Sequence, residues 1–160
     1  MQRISGAGVM AALLARRADL GKGRSCGKLA AKGIRMKLGA FSISLPVSDI
    51  PASVSFYQML GFAPLGEVAE DASWAMMRNP DGHVIGLFKG MFDRPLLTFN
   101  PGWTQSAEAL EQFEDVRALK IRITQAGGEV QQEQLAAETG PGSFVIVDPD
   151  GHPILIDQHV

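Results

Sequence analysis

The chain has 160 residues, of which 46% are hydrophobic and 20% charged, so it can bury a core and does not resemble a disordered protein. No apolar run reaches the ~20 residues that cross a bilayer, so we expect no membrane association and a cytoplasmic protein. The single cysteine, Cys26, excludes an internal disulfide framework and a cysteine-based zinc site. The length indicates one domain, or two small halves that share a core.

Charge is unevenly distributed along the chain. Residues 1–37 contain nine Lys or Arg and one acidic residue, whereas residues 38–160 contain six basic and sixteen acidic residues. An acidic body adds repulsion where phosphate contacts would supply affinity, so no nucleic-acid partner is expected. The same charge would tolerate or attract cationic small molecules.

Residues 1–36 differ in composition from the rest, being rich in Gly, Ala, Arg and Lys and lacking aromatic residues. The apolar stretch 9–15 runs into Arg16-Arg17 and resembles a weak targeting segment, but no clean small-x-small cleavage site follows. Met36 opens a strongly patterned region and could be the true start. We therefore predict a disordered or spurious extension over 1–36, with a targeting peptide or a folded helix as alternatives.

The patterned region begins with a strand, because residues 41–47 alternate apolar and small side chains. Asp49 is a candidate N-cap, Pro51 suits the first helical turn, and Gly61 ends the helix. The pair Asp81-Gly82 predicts a two-residue hairpin turn. Strands are expected over 63–68, 73–78 and 83–88.

The second half repeats this order. A strand over 96–100 and a long loop to about residue 114 precede a helix capped by Asp115 and ended by Gly127. Further strands are expected near 129–133, 144–147 and 153–158. The sequence Pro-Asp-Gly-His occurs at 80–83 and again at 149–152, which indicates an internal duplication.

The repeated order predicts an α+β fold made of two βαβββ modules, about 38–91 and 92–160, within a single domain over 37–160. Two such units form a curved mixed sheet with the helices on its outer face and a concave cleft on the other.

The stretches VSDIPASVSFYQMLGF in the first half and FVIVDPDGHPILID in the second resemble the vicinal oxygen chelate superfamily. That superfamily includes glyoxalase I, extradiol dioxygenases, fosfomycin-resistance transferases and bleomycin-resistance proteins. The resemblance covers about residues 38–159 and is specific for the fold but weak for any one reaction. It implies a homodimer, and the stretch GLFKGMFDRPLLTFNPGW is similar to an uncharacterised bacterial subgroup.

Metal enzymes of this superfamily hold a divalent ion with four side chains, usually His and Glu, one on each of four cleft-lining strands. Here the resemblance places those positions at Ser42, Gly86, Leu96 and Leu155. None offers the imidazole or carboxylate donor that such an ion needs, and a slip of one residue would move a donor to the opposite strand face. We therefore expect no metal and no cofactor.

Period-2 alternation from these positions gives an expected cleft that is mainly apolar, with a few hydroxyls, one amide and one carboxylate. For Trp103, ligand stacking and loop packing are both open, and Gly86 could be a bulge or a close-packing glycine. The expected cleft residues are Ser42, Ser44, Val84, Gly86, Phe88, Leu96, Thr98, Asn100, Leu155 and Asp157, with Trp74, Met76, Phe92 and Trp103 as walls.

The three histidines have different expectations. His83 and His152 follow the hairpin glycines and are expected to be exposed turn residues. His159 is expected to fray with the terminus. However, Asp157 and His159 share one face of the last strand, so an acid–base pair at the cleft mouth is the alternative, and these two are the candidate catalytic residues.

Three functions follow from these observations. The favoured one is a metal-independent protein that binds a small apolar or cationic organic ligand in the cleft. The second is a metal-dependent lyase or dioxygenase, in which the ion would polarise substrate oxygens. The third is a partner-binding module whose cleft has collapsed around Leu96 and Leu155.

Overall fold

The computed structural model of the protein describes residues 35–160. Apart from its last two residues, the predicted extension over 1–36 lies outside the described residues. Met36 and Leu38 pack against the core of the second half, and the Lys37 backbone N–H donates a hydrogen bond to Glu114 over 3.3 Å. Within the described part of the chain, no helix has the length and apolar character to cross a membrane.

Two βαβββ modules follow one another, as the repeat predicted. The first comprises β1 (Ala40–Val47), α1 (Ile50–Met59), β2 (Ala63–Pro64), β3 (Trp74–Arg78) and β4 (Val84–Lys89). The second comprises β5 (Leu96–Asn100), α2 (Val116–Gln125), β6 (Val130–Gln134), β7 (Gly142–Val147) and β8 (Pro153–Gln158).

All eight strands form one curved mixed sheet in the order β2-β3-β4-β1-β5-β8-β7-β6. The first strands of the modules, β1 and β5, are antiparallel neighbours at its centre. Each pairs in parallel with the last strand of its own module, β1 with β4 and β5 with β8. The predicted α+β class is confirmed, and the two modules meet along the β1–β5 pair.

Both helices begin and end where the sequence predicted. The Asp49 carboxylate accepts a hydrogen bond from the Ala52 N–H over 2.8 Å, and the Asp115 carboxylate accepts one from the Arg117 N–H over 2.8 Å. Gly61 adopts φ 84° directly after the first helix, a left-handed conformation that glycine adopts without a Cβ clash. Capping therefore fixes the helix boundaries locally.

Two predictions about the connections were wrong. Strand β2 has two residues instead of six, because Gly66 adopts φ 97° and turns the chain out of the extended conformation. The hairpin loop has three residues instead of two. The Gly82 N–H bonds to the Asn79 carbonyl over 3.0 Å, and Asn79 pairs with His83 on the far side of the loop. This is a turn followed by a left-handed glycine, the usual three-residue hairpin.

Each module has its own hydrophobic core between its helix and the sheet. The first centres on Ile50, Met77 and Leu87, and the second on Leu119 and Phe144. Because side chains alternate along a strand, the residues between these core positions lie on the opposite face of the sheet. That opposite face is the cleft.

Candidate functional site

A cavity of ≈ 240 Å³ lies on the cleft face of the sheet. Its walls are mainly aromatic and aliphatic. Its volume is below the ~300–1,000 Å³ typical of drug-sized ligand sites, but the presence of this cavity shows that the cleft is not fully filled by side chains. The lining residues are Ala40, Phe41, Ser42, Ser44, Leu65, Trp74, Met76, Val84, Phe88, Met91, Thr98, Asn100, Trp103, Thr104, Gln105, Ala107, Asp157 and His159.

Most of the residues expected in the cleft or its walls lie around this cavity, but four do not. Gly86, Leu96, Leu155 and Phe92 are absent from its walls. Leu96 and Leu155 are 3% and 1% exposed, so they fill the closed part of the cleft. The remaining expected residues come together at the cavity: Ser42, Ser44, Trp74, Met76, Val84, Phe88, Thr98, Asn100, Trp103, Asp157 and His159.

Gly86 lies beneath an aromatic ring. A Cβ atom at this position would be 2.5 Å from Cε2 of Phe88 and 3.0 Å from Sδ of Met76, so no larger residue fits without movement. The Phe88 ring in turn packs on Phe92 with centroids 5.4 Å apart. Of the two interpretations of Gly86, the close-packing glycine is the one that the structure supports. Phe92 is buried and lines no part of the cavity, so the expectation that it forms a wall was wrong.

The four positions at which the resemblance expects metal ligands do not fit a metal ion. They lie one on each of β1, β4, β5 and β8, on the cleft side. Their side chains are one hydroxyl, a hydrogen and two isobutyl groups, whereas a divalent ion requires converging oxygen, nitrogen or thiolate donors. Among residues 35–160, no group of three or more His, Cys, Asp or Glu side chains is placed to hold a metal ion.

The centre of the cleft floor carries a hydroxyl pair instead. The side chains of Ser44 on β1 and Thr98 on β5 hydrogen-bond to each other over 2.9 Å, and both are buried. This bond joins the O–H of one side chain to the oxygen of the other across the boundary between the modules. A buried hydroxyl without a partner costs about 1–3 kcal/mol, so this pair stabilises the sheet.

The loop between β5 and α2 forms one wall of the cavity, and the sequence did not predict how. The Gln105 side chain accepts a hydrogen bond from the Phe41 N–H over 2.9 Å and donates one to the Phe41 carbonyl over 2.7 Å. Phe41 lies before the first β1–β4 partner, so the amide occupies the place of a neighbouring strand. Gln105, Thr104 and Ala107 are site residues that sequence reasoning missed.

A polar pair of side chains, Asp157 and His159, lines the cavity beside Trp103. Nε2 of His159 is 3.1 Å from Oδ2 of Asp157, and the imidazole stacks on Trp103 with centroids 4.9 Å apart and planes 18° apart. The expectation that His159 frays was wrong, and the alternative, a pair with Asp157, is formed. Trp103 both packs on His159 and faces the cavity.

The Asp157–His159 pair alters the proton affinity of the imidazole. Burial lowers the pKa of His159, but the hydrogen bond and the negative charge of Asp157 outweigh it, and the net pKa is raised above the ordinary 6.5. The protonated imidazole is therefore favoured while Asp157 remains its partner.

Gln158 anchors the strand that carries this pair. It points to the helix side, where Oε1 accepts the Val116 N–H over 2.8 Å. Its amide nitrogen, which carries two hydrogens, lies within hydrogen-bond distance of three acceptors: Asp115 at 3.0 Å, the Gly140 carbonyl at 2.9 Å and the Val160 carbonyl at 2.8 Å. These contacts hold the end of β8 in register, and thereby position Asp157 and His159.

Comparison with known proteins agrees with this architecture. A family model described as the Glyoxalase/Bleomycin resistance protein/Dioxygenase superfamily matches residues 39–156. The chain therefore belongs to that superfamily. A comparison with curated proteins found no match.

Solved structures share the fold at low sequence identity. A Legionella pneumophila protein described as an NAD-dependent benzaldehyde dehydrogenase is 21% identical, with a TM-score of 0.56 over 75% of this chain and 99% of that one. The methylmalonyl-CoA epimerase of Mycobacterium tuberculosis is 14% identical, with a TM-score of 0.52 over 81% and 94%. That of Streptomyces coelicolor is 18% identical, with a TM-score of 0.50 over 78% and 96%. At these identities the likeness shows the fold alone.

Proposed function

We propose that the protein binds a small organic ligand, apolar or cationic, in the cleft cavity without a metal ion. The observation that carries this proposal is the chemistry of the cavity wall, which is aromatic and aliphatic with a single carboxylate–imidazole pair. Such walls hold ligands through buried apolar area and use a few polar groups for orientation. The metal-dependent lyase or dioxygenase lacks support because the four central positions offer no suitable donor set.

The two tryptophans of the chain provide a direct assay. Trp74 and Trp103 are the only tryptophans, and both line the cavity, so intrinsic fluorescence reports on its occupancy. We expect members of a panel of small aromatic, aliphatic and cationic compounds to change the emission saturably in chelator-treated protein. The variants Trp74→Phe and Trp103→Phe then assign the signal to one wall. No saturable change across the panel, confirmed by calorimetry, would contradict the proposal.

The 3.1 Å contact between Asp157 and His159 favours a second candidate function, acid–base catalysis without a metal. Asp157 would orient the imidazole, and His159 would remove a proton from a carbon acid and return it. The test is deuterium incorporation from D₂O into panel compounds, followed by NMR. Exchange that disappears in His159→Gln would support it, and exchange no faster than the solvent background would exclude it.

We also propose a cytoplasmic homodimer. The supporting observation is α1 with its C-cap residue Leu60. The helix contains no charged residue, and Phe56, Met59 and Leu60 are 52%, 76% and 60% exposed. Exposed apolar residues in contiguous positions commonly mark an interface with a partner chain. Light scattering during gel filtration should give twice the monomer mass, and Met59→Lys should shift the protein to monomer if this surface is the contact.

A further inference from the structure

The polar groups around the cavity are not equally available to a ligand. The Ser44 and Thr98 hydroxyls bond to each other, and the Gln105 amide is engaged at both ends by Phe41. The side-chain nitrogen of Asn100 donates to the backbone carbonyl of Asp157 over 2.9 Å. The strongest polar features left at the wall are therefore the Asp157 carboxylate and the His159 imidazole.

Few ionisable side chains reach the cavity. Among residues 35–160, its lining contains one carboxylate, Asp157, and one imidazole, His159, but neither lysine nor arginine. An anionic ligand could pair only with His159, which Asp157 already engages. A cationic ligand would meet the carboxylate and the faces of aromatic rings, which attract cations by about 0.5–2 kcal/mol each.

Two of the aromatic rings, Trp74 and Phe88, lie on the opposite side of the cavity from Asp157. Trp74 on β3 and Phe88 on β4 are cross-strand neighbours, while Asp157 is on β8, and β1 and β5 lie between. A ligand that spans the floor would therefore place an apolar body against Trp74 and Phe88 and a charged head beside Asp157 and Trp103.

We infer that the Asp157–His159 pair is the head-group site for an organic ammonium ion, and that the ammonium and the proton of His159 compete for the Asp157 carboxylate. This inference rests on the proposed function, since it specifies which ligands the cavity accepts. When His159 is protonated, the pair is neutral overall and offers little to a second cation. When His159 is neutral, the carboxylate charge is available.

In the part of the chain that the structure describes, the groups around the imidazole leave Asp157 as its main electrostatic partner. On β5 the neighbouring Asn100 is uncharged, on the loop Trp103 is uncharged, and β1 contains no ionisable residue over Ala40–Val47. The loop carboxylates Glu108 and Glu111 are exposed and are not part of the cavity wall. Ammonium affinity should therefore increase as the pH rises through the pKa of His159, which lies above its ordinary value.

The experiment uses three probes of one shape and different charge: phenyltrimethylammonium, its neutral carbon isostere tert-butylbenzene, and benzenesulfonate. The quaternary ammonium carries a permanent charge, so any pH dependence of its affinity comes from the protein. Titrations followed by tryptophan fluorescence are run at about pH 5.5, below the ordinary pKa of histidine, and at about pH 9, well above it.

We expect phenyltrimethylammonium to bind at least about tenfold more tightly at the higher pH, and the affinity for the neutral isostere to change by less than about twofold. At the higher pH, Asp157→Asn should lower the affinity for the ammonium by about tenfold or more and leave the affinity for the isostere unchanged. His159→Gln should keep tight ammonium binding and lose its pH dependence. His152→Gln removes the partner of Asp148 in an exposed pair outside the cavity and is the matched control, with wild-type behaviour expected.

The outcomes separate this inference from the proposed function. If the isostere binds as tightly as the ammonium, or if the pH dependence survives in His159→Gln, the cation site is wrong while ligand binding by the cavity stands. If benzenesulfonate binds most tightly, the charge assignment is reversed. If none of the probes binds and the wider panel is also silent, both proposals fail. Circular dichroism of each variant verifies that it is folded.

Discussion

The two modules have the same order of helix and strands, but their last strands, β4 and β8, carry different side chains. The fifth residue of the last strand is Phe88 in the first module and Asp157 in the second, and both line the cavity. The first module therefore supplies an aromatic wall and the second a carboxylate. Two modules with the same order of elements thus form an asymmetric site through different residues at one equivalent position.

The sixth residue of these strands differs as well. In the first module it is Lys89, which is exposed, and in the second it is Gln158, which is 1% exposed and whose amide group is hydrogen-bonded at both its oxygen and its nitrogen. The strand that carries the polar pair is therefore anchored from behind, whereas the strand that carries the aromatic wall is not. We expect substitutions at the two positions to have different effects.

The largest difference in stability is expected two residues earlier on the same strand face, at Leu155 and its equivalent Gly86. Leu155→Ala should lower the free energy of unfolding by about 2–5 kcal/mol, because it opens a cavity in the filled half of the cleft. Gly86→Ala should cost about 1–3 kcal/mol through overpacking against Phe88, and a second change, Phe88→Leu, should recover part of it. Urea denaturation measures both. Equal costs without recovery would show that the two halves of the floor are packed alike.

Gln158→Ala should be the next most destabilising change, by about 2–4 kcal/mol, because it leaves the buried Val116 N–H without a partner. Lys89→Ala, at the equivalent exposed position, should stay within about 0.5 kcal/mol. Thermal unfolding of both variants provides the comparison. Similar melting temperatures for the two would contradict the anchoring role of Gln158.

The helix caps should show a smaller version of the same asymmetry. Asp49→Ala removes one capping hydrogen bond and should cost about 1 kcal/mol. Asp115→Ala should cost more, up to about 2 kcal/mol, because Asp115 also accepts from Gln158 and pairs with Arg117. The ranking can be checked by chemical denaturation, and a larger loss at Asp49 would overturn it.

The smallest effect is expected in the pH dependence of stability. The pKa of His159 is raised, so its contribution is complete below its unfolded value of about 6.5 and is lost as the pH rises through the folded pKa. His159→Gln should remove this loss of stability on the alkaline side.

Asp115 should have the opposite effect on the acidic side. Burial raises the pKa of Asp115, but hydrogen bonds from Arg117 and Gln158 lower it overall, so its contribution to stability is lost as the pH falls. Denaturation midpoints measured across the pH range distinguish the alkaline loss of stability, due to His159, from the acidic loss, due to Asp115.

How much of this could be predicted from the sequence depended on whether the signal was local. Some features follow from neighbouring residues alone, and their predictions match the structure. These are the helix caps Asp49 and Asp115, the strand over 96–100, and the alternation that places Ser42 and Asp157 on one face. The repeat and its motifs indicated the superfamily and hence a curved mixed sheet built from two βαβββ modules.

Contacts between distant parts of the chain could not be predicted in this way. Gln105 binds the backbone of a strand 64 residues away, which no local pattern reveals. The stacking of Trp103 on His159 requires the loop and the end of β8 to meet, so His159 was expected to fray. The predicted length of β2 was wrong because a single residue, Gly66, ends an otherwise strand-like segment.

The most direct test of metal-independent binding is a tryptophan fluorescence titration of exhaustively chelated protein with phenyltrimethylammonium, repeated after addition of Zn²⁺ or Mn²⁺. Because Ser42, Gly86, Leu96 and Leu155 supply no converging donors, we expect saturable binding in the chelated protein and affinities that agree within about twofold with and without the ion. Binding that disappears on chelation and returns with one equivalent of metal would contradict metal-independent binding.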